Sequence, residues 1–275
     1  MQKFGLIGFP IAHSLSPVLQ GSLLKSQNIE GEYQLYSIEP QNLAEEFVKL
    51  EKLGLTGLNV TAPFKQDILA FLDEVAPAAK KMGAVNTILF KDGKKYGYNT
   101  DYDGFGMVLE QIKFSCEGKK VLILGAGGGA LAASHYVANQ GAKEVWIVSR
   151  NLDKISHGGF PLLAYDQLAE NLKTTDLIVN CTPVGMHPNI DDSPIDLDLL
   201  DAYQGAIVDL IYNPFQTKLI KKAESLGLPA SGGLMMLIGQ GIAAQQIWQE
   251  KSLDPSLAIP AEKLLRKTLE KKKKK

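Results

Sequence analysis

Residues 120–150, KVLILGAGGGALAASHYVANQGAKEVWIVSR, constrain what this chain can fold into more than any other stretch. The apolar run at 121–124 reads as a strand buried on both faces, and it leads straight into Gly125-Ala126-Gly127-Gly128-Gly129. Residues 130–140 are alanine-rich and free of proline, so they predict a helix that Gly141 can stop, and 144–148 predict a second apolar strand. The spacing of Gly125, Gly127 and Ala130 is that of a dinucleotide fingerprint, G-x-G-x-x-A, in a strand-helix-strand setting. The first glycine permits the tight turn, and the second lets backbone N–H groups approach a pyrophosphate. A small residue at Ala130 lets the helix pack close to its strand with its N-terminal dipole directed at the anion. The whole loop, Gly125 to Ala130 with Ala126, Gly128 and Gly129, is therefore the expected cofactor cradle of a Rossmann domain.

The end of the second strand indicates which dinucleotide. An NAD site places Asp or Glu about 20 residues past the motif, where it accepts hydrogen bonds from the ribose 2′-OH. Here the strand ends in Ser149-Arg150-Asn151, with Lys154 close behind. A guanidinium at Arg150 suits a 2′-phosphate, with Ser149, Asn151 and Lys154 as further donors, so NADP is the expected cofactor.

The residues before this stretch supply a second α/β layer. A strand at 3–8 precedes a loop with His13, Ser14 and Ser16, and Ser16-Pro17 reads as a cap and first residue of a helix over 18–25. That leaves Ser14 without a structural duty. Strands at 32–39 and 57–60 flank an amphipathic helix at 41–53, a parallel α/β pattern. The third strand runs into Asn59-Val60-Thr61-Ala62-Pro63-Phe64-Lys65, and Lys65 falls where a helix dipole disfavours a cation, which argues for a functional reason. An Asp92-Gly93 turn joins strands at 87–90 and 95–99, preceded by Asn86. The return strand ends at Thr100-Asp101, either of which suits an N-cap for a helix through 106–112. Further elements are expected at 163–172, 176–180, 206–210, 215–226, 234–250 and 256–270, before the basic tail 271–275, which reads as solvated.

Composition removes several function classes. A net charge of −1 gives no field to draw nucleic acid or a membrane surface. Two isolated cysteines and four histidines without ligand spacing predict no disulfide framework and no metal site. The N-terminus has no signal-like apolar region and no apolar run approaches a membrane span, so the cytoplasm is the expected compartment. The partner expected is a small-molecule substrate, with no nucleic acid and no membrane, for a monomer or homodimer.

The segments GFPIAHSLSP, LNVTAPFK, GAVNT, NTDYDG and GAGGGALA resemble the shikimate dehydrogenase family, and the likeness continues through NCTPVGM, DLIYNP and GLMMLIGQ over nearly the whole chain. The resemblance implies a catalytic pair of Lys65 and Asp101. It implies substrate contacts from Ser14 and Ser16 to a carboxylate, from Thr61, Asn86 and Gln240 to hydroxyls, and from Tyr212. It also implies cofactor contacts from Thr182 and from the backbone of Gly233. Two departures stand out: Leu131 sits where the family often carries Arg, and Ser149-Arg150-Asn151 replaces its usual Asn-Arg-Thr.

The expected architecture is two α/β domains with a cleft between them: a substrate domain of 1–103 completed by C-terminal helices in 239–275, and an NADP-binding Rossmann domain at 104–238. The expected activity is the reversible, NADP-dependent reduction of 3-dehydroshikimate to shikimate, on the route to chorismate and the aromatic amino acids. A quinate/shikimate dehydrogenase using NAD, a non-catalytic NADP sensor and, more distantly, a methylenetetrahydrofolate dehydrogenase remain as alternatives.

Overall fold

The computed structural model describes residues 1–152 and 158–272. The chain divides into two units, Met1–Thr100 with Ile238–Thr268, and Asp101–Leu237 with the residues from Leu269 on. The first break thus falls between Thr100 and Asp101, slightly before the boundary at 103 read from sequence, and the end of the last helix leaves the first unit.

The first unit opens with β1 (Gln2–Gly8), α1 (Ser16–Ser26), β2 (Gly31–Ser37), α2 (Leu43–Glu51) and β3 (Gly57–Val60). It continues with β4 (Glu74–Val75), α3 (Pro77–Met82), β5 (Thr87–Lys91) and β6 (Lys94–Tyr98). Its sheet runs β2-β1-β3-β5-β6-β4. The three leading strands are parallel, while β5 is antiparallel to both β3 and β6, so the layer is mixed. The β5–β6 turn at Asp92-Gly93 has positive φ at both residues, as a two-residue hairpin requires. One face of the sheet buries Ile7, Leu58, Val60 and Ile88 against Phe47 and Leu50 of α2 and against Phe64. The short elements β4 and α3 were not anticipated, because two- and six-residue segments carry too little periodicity to read.

The second unit contains α4 (Asp101–Gln111), β7 (Lys120–Leu124), α5 (Gly128–Asn139), β8 (Glu144–Val148), β9 (Leu162–Leu163) and α6 (Leu168–Leu172). Then come β10 (Leu177–Asn180), β11 (Ala206–Asp209), α7 (Lys218–Ser225) and β12 (Ala230–Ser231). All six strands are parallel, in the order β12-β11-β10-β7-β8-β9. That is the doubly wound Rossmann order, whose direction reverses between β7 and β10, and ligands of such sheets bind beyond the strand C-termini at that reversal. Central strands buried on both faces explain the unbroken apolar runs at 121–124, 177–179 and 206–208.

Two long helices close the chain, α8 (Leu234–Gln249) and α9 (Ala258–Lys272). From Ile238 onward α8 belongs to the first unit and covers the second face of its sheet. The Trp248 ring lies 4.8 Å from that of Phe4, and its indole N–H donates to Ile88 O at 2.9 Å. Gln20 of α1 is fully buried and satisfied from the same helix: its Oε1 accepts from Gln245 Nε2 at 2.8 Å, and its Nε2 donates to Gly241 O. A segment remote in sequence is fixed to α1 by these bonds, because an unpaired buried amide would cost about 1–3 kcal/mol.

The second unit has its own buried polar junction at Asp209, the last residue of β11. Its carboxylate accepts from Thr217 Oγ1 at 2.6 Å, Asn180 Nδ2 at 3.0 Å and Ile211 N at 3.1 Å. Burial outweighs these three donors and pushes its pKa from 3.8 up to about 6. Because the folded value is the higher one, this contribution to stability is fully present below the unfolded pKa and is lost as pH rises through about 6. At about 1.4 kcal/mol per unit, the loss is on the order of 3 kcal/mol. Asp209→Asn cannot ionise, so denaturant titrations of both proteins between pH 4 and 7 should show the wild type losing roughly that much stability relative to the variant. A stability difference constant across this range would remove Asp209 as its source.

Candidate functional site

In the first unit, topology gathers the expected substrate residues at one end of the sheet. Parallel pairing sets Ile7 of β1 beside Val60 of β3, so the loops that follow, with Ser14 and Ser16 on one and Thr61 and Lys65 on the other, leave side by side. Backbone bonds hold them together: Thr61 N donates to Ile7 O at 2.9 Å and Phe9 N to Ala62 O at 3.1 Å. Because β5 runs antiparallel to β3 and β6 antiparallel to β5, the start of β5 at Asn86-Thr87 and the end of β6 before Thr100 come to this same end. Val85 N donates to Lys65 O at 2.7 Å, tying the lysine loop to Asn86. Gln240 stands on α8, one residue before Gly241, whose carbonyl accepts from Gln20 of α1.

The helix-start bond expected of Ser16 is made by Ser14. Helix α1 already begins at Ser16, and no side chain caps it at the Leu15 position. Ser14 does the local structural work instead, its Oγ accepting from Ser16 N at 3.1 Å. Ser16 is 8% exposed. The Ser-Pro pair was a correct sign of a helix start, but a serine one position further into the helix cannot cap it.

Asn86 is 3% exposed, and its Oδ1 accepts from Thr100 N at 2.7 Å, Thr87 Oγ1 at 3.0 Å and Thr100 Oγ1 at 3.1 Å. These donors fix which way the amide faces, since a flipped amide would set Nδ2 against the Thr100 N–H. Asn59, 4% exposed, donates to Asn86 O at 3.2 Å and to Thr87 Oγ1 at 3.1 Å, and accepts from Tyr33 Oη at 2.8 Å. Neither Tyr33 nor Asn59 was singled out from sequence. Asn59 stands in the quoted LNVTAPFK segment, and its place on a wholly buried strand was the available signal. Nothing local marked Tyr33, which comes to the site only through the β1–β2 pairing.

Asp101 is 6% exposed and is the first residue of α4 rather than its cap. A carboxylate in a first helical turn is favoured by the helix dipole. It lies within electrostatic reach of Cys181, just past β10, whose thiol is raised by burial first and then by Asp209 and Asp101. Cys181 itself follows the C-terminal end of β10 in the second sheet.

The expected cofactor residues line that same end. Gly125 has φ +97, and a side chain there would crowd Thr182 and the Cys181 backbone, so the turn after β7 accepts only glycine at this point. Ala130 is fully buried on α5, as close packing of helix on strand requires. Among the described residues no side chain caps α5 at Gly127, so the helix presents its first N–H groups as an anion would need them. Leu131, where an Arg was noted as the family's frequent choice, is 4% exposed and packs inward. After β8, Ser149 Oγ accepts from Asn151 N at 3.2 Å in a tight turn that leaves Arg150 exposed, beside Tyr165. Lys154 lies outside the described residues. Thr182 donates both N–H and hydroxyl to Asn180 Oδ1, at 2.9 and 2.7 Å, and Asn180 in turn leans on Asp209. Gly233 is held by Ile211 O at 3.0 Å, and a Cβ there would overlap the Leu210 backbone, which explains a glycine at this contact. Burial raises the phenol of Tyr212, which follows β11 on the adjoining loop.

Comparison with known proteins agrees with this arrangement. The profile of the shikimate dehydrogenase substrate binding domain matches residues 6–88. The shikimate dehydrogenase (NADP(+)) of Clostridium beijerinckii is 40% identical over 262 residues, covering 94% of this chain and 95% of that protein. Among solved structures, shikimate dehydrogenase 1 of Peptoclostridium difficile aligns with a TM-score of 0.89 at 35% identity, over 98% of this chain and 99% of the other. The Thermus thermophilus shikimate 5-dehydrogenase, solved in complex with NADP(H) and shikimate, aligns with a TM-score of 0.85 at 33% identity, over 96% and 99%. Likeness at these identities over almost the full length of each protein is carried by both units and not by the glycine loop alone, and the chain belongs to the shikimate dehydrogenase family.

Proposed function

We propose that this protein is an NADP-dependent shikimate dehydrogenase, an oxidoreductase that reversibly reduces the ring ketone of 3-dehydroshikimate to the secondary alcohol of shikimate. The observation that carries this reading is the 40% identity, across 94% of the chain, to a relative named shikimate dehydrogenase (NADP(+)). The geometry fits it. Ser14 precedes and Ser16 begins helix α1, where hydroxyl donors suit a carboxylate. Asn86 has its amide oriented by three donors to the oxygen, and Thr61 and Gln240 add hydroxyl and amide groups for the ring hydroxyls.

The nicotinamide of NADP supplies the hydride chemistry. The chain's task is to orient the reactants and move a proton. In the oxidative direction, the alcohol oxygen loses its proton as the carbon loses hydride, and Lys65 and Asp101 together take that proton and set its path. In the reductive direction the same pair returns it to the oxygen. The backbone of Gly125 to Ala130 at the start of α5 would hold the pyrophosphate, with Thr182, Tyr212 and the Gly233 backbone toward the nicotinamide and substrate. Arg150, with Ser149, Asn151 and Lys154, would hold the 2′-phosphate. A biosynthetic reductase of this kind belongs in the cytoplasm, as a monomer or homodimer.

The direct test is steady-state turnover. Shikimate should drive NADP+ reduction with a kcat/KM well above that for quinate, and NADP+ should be preferred to NAD+. Turnover confined to quinate with NAD+ would favour the quinate/shikimate alternative, and binding of NADP without turnover would favour a sensor. Cofactor choice has its own test at Arg150. Loss of a charge-assisted hydrogen bond costs about 1.5–3 kcal/mol, so Arg150→Ala should weaken NADP+ binding roughly ten- to a hundredfold and leave NAD+ binding nearly unchanged. A variant that keeps the wild-type NADP+/NAD+ ratio would take Arg150 out of that role.

A further inference from the structure

Asn180, the last residue of β10, is fully buried and is none of the residues assigned above to substrate or cofactor. Both ends of its amide are committed. Nδ2 donates to Asp209 Oδ1 at 3.0 Å, and Oδ1 accepts from Thr182 N at 2.9 Å and from Thr182 Oγ1 at 2.7 Å. A turned-over amide would set its oxygen against the carboxylate and its N–H groups against the Thr182 N–H, so only one orientation is satisfied. Asp209 is itself fully buried and held in turn by Thr217 Oγ1 and Ile211 N. The Thr182 hydroxyl is spent as well: its proton goes to Asn180, and its oxygen accepts from Val184 N at 3.3 Å. What Thr182 turns to the glycine loop is its methyl, which would stand 3.0 Å from a Cβ at Gly125. In the sheet, β7 with its glycine turn lies between β10 and β8, so Thr182 and Arg150 flank that turn from opposite sides.

We propose that Asn180 is a positioning residue for the dinucleotide: anchored on Asp209, its amide fixes Thr182 so that the methyl, and not the hydroxyl, forms the wall beside the glycine turn. The inference rests on the reading of Gly125 and Thr182 as cofactor contacts. Among the described residues the Thr182 N–H has no other acceptor, so removing the amide releases both the backbone and the side chain of that residue. Ordering the wall before the ligand arrives removes a cost from binding. Asn180 touches neither cofactor nor substrate in this account. Because its effect reaches the cofactor on the side of β7 away from Arg150, it does not distinguish NADP+ from NAD+.

Calorimetric titration of the full-length protein with NADP+ and with NAD+, in the absence of substrate, reads this apart from turnover. Asn180→Ala should raise Kd about three- to tenfold for both dinucleotides by the same factor, the effect of about one net hydrogen bond, with KM for shikimate at saturating NADP+ changed less than twofold. Thr182→Val keeps the methyl wall and leaves Asn180 and Asp209 in place, so it gives the test even if Asn180→Ala does not fold. It should raise both Kd values about two- to fivefold, and in the Asn180→Ala background by less than twofold more, because the partner of the lost proton is already gone. A merely structural asparagine would lower the melting temperature and leave Kd in place. An unchanged Kd in folded Asn180→Ala or in Thr182→Val, a change confined to NADP+, or a Thr182→Val effect of full size in the Asn180→Ala background would overturn the inference. The wild type separates the levels: failure to bind NADP+ overturns the cofactor reading and this inference together, whereas wild-type binding with unchanged variant Kd values overturns this inference alone.

Discussion

Asn86 Oδ1, removed from water at the end of the first sheet, is given three donors, and the first unit's substrate end is built around that requirement. Two donors come from Thr100, the last residue of the first unit, and one from Thr87 at the start of β5. Satisfying one oxygen therefore ties the start of β5 to the segment just past β6. Loss of a buried partner here costs about 1–3 kcal/mol per group, which makes the arrangement close to all-or-none.

The second unit solves a parallel problem with a carboxylate. Asp209 joins the ends of β10 and β11 through Asn180, and Asn180 in turn holds Thr182 beside the glycine turn. Parallel strands bring all these loops to one end of the sheet, and the reversal of strand order between β7 and β10 leaves space there. The cradle uses backbone rather than side chains, which is why glycine and alanine fill it. In both units rigid strands carry short loops, and buried hydrogen bonds hold the loop residues in place.

Much of this was legible in the sequence because the chemistry was local. The apolar run, glycine turn and helix of 120–150 lie within one continuous stretch, and Arg150 follows in register. The Asp92-Gly93 hairpin was equally direct. What escaped was chemistry made by distant pairing. Ser14, read as free of structural duty, makes the helix-start bond expected of Ser16, since sequence indicates a helix start to within a residue or so and the cap depends on the exact one. Tyr33 reaches Asn59 only because β2 pairs with β1. Gln20 and Gln245, each unremarkable alone, form a buried bond between opposite ends of the chain. The role expected of Gln240 came from the family resemblance and not from its own surroundings in the sequence.

The central claim is that one unit, Lys65 with Asp101, moves the alcohol proton while Ser14, Ser16 and Asn86 bind the substrate. Proton transfer of this kind is typically worth about 10²–10⁴-fold in rate. The most direct measurement is kcat for shikimate oxidation by Lys65→Ala, Asp101→Asn and the double variant, with circular dichroism as the check on folding. The account predicts losses of orders of magnitude in both single variants, and a double variant little slower than the slower single one, because residues acting together are not additive. Near-normal turnover in a folded Lys65→Ala protein, or losses that multiply fully in the double variant, would contradict it.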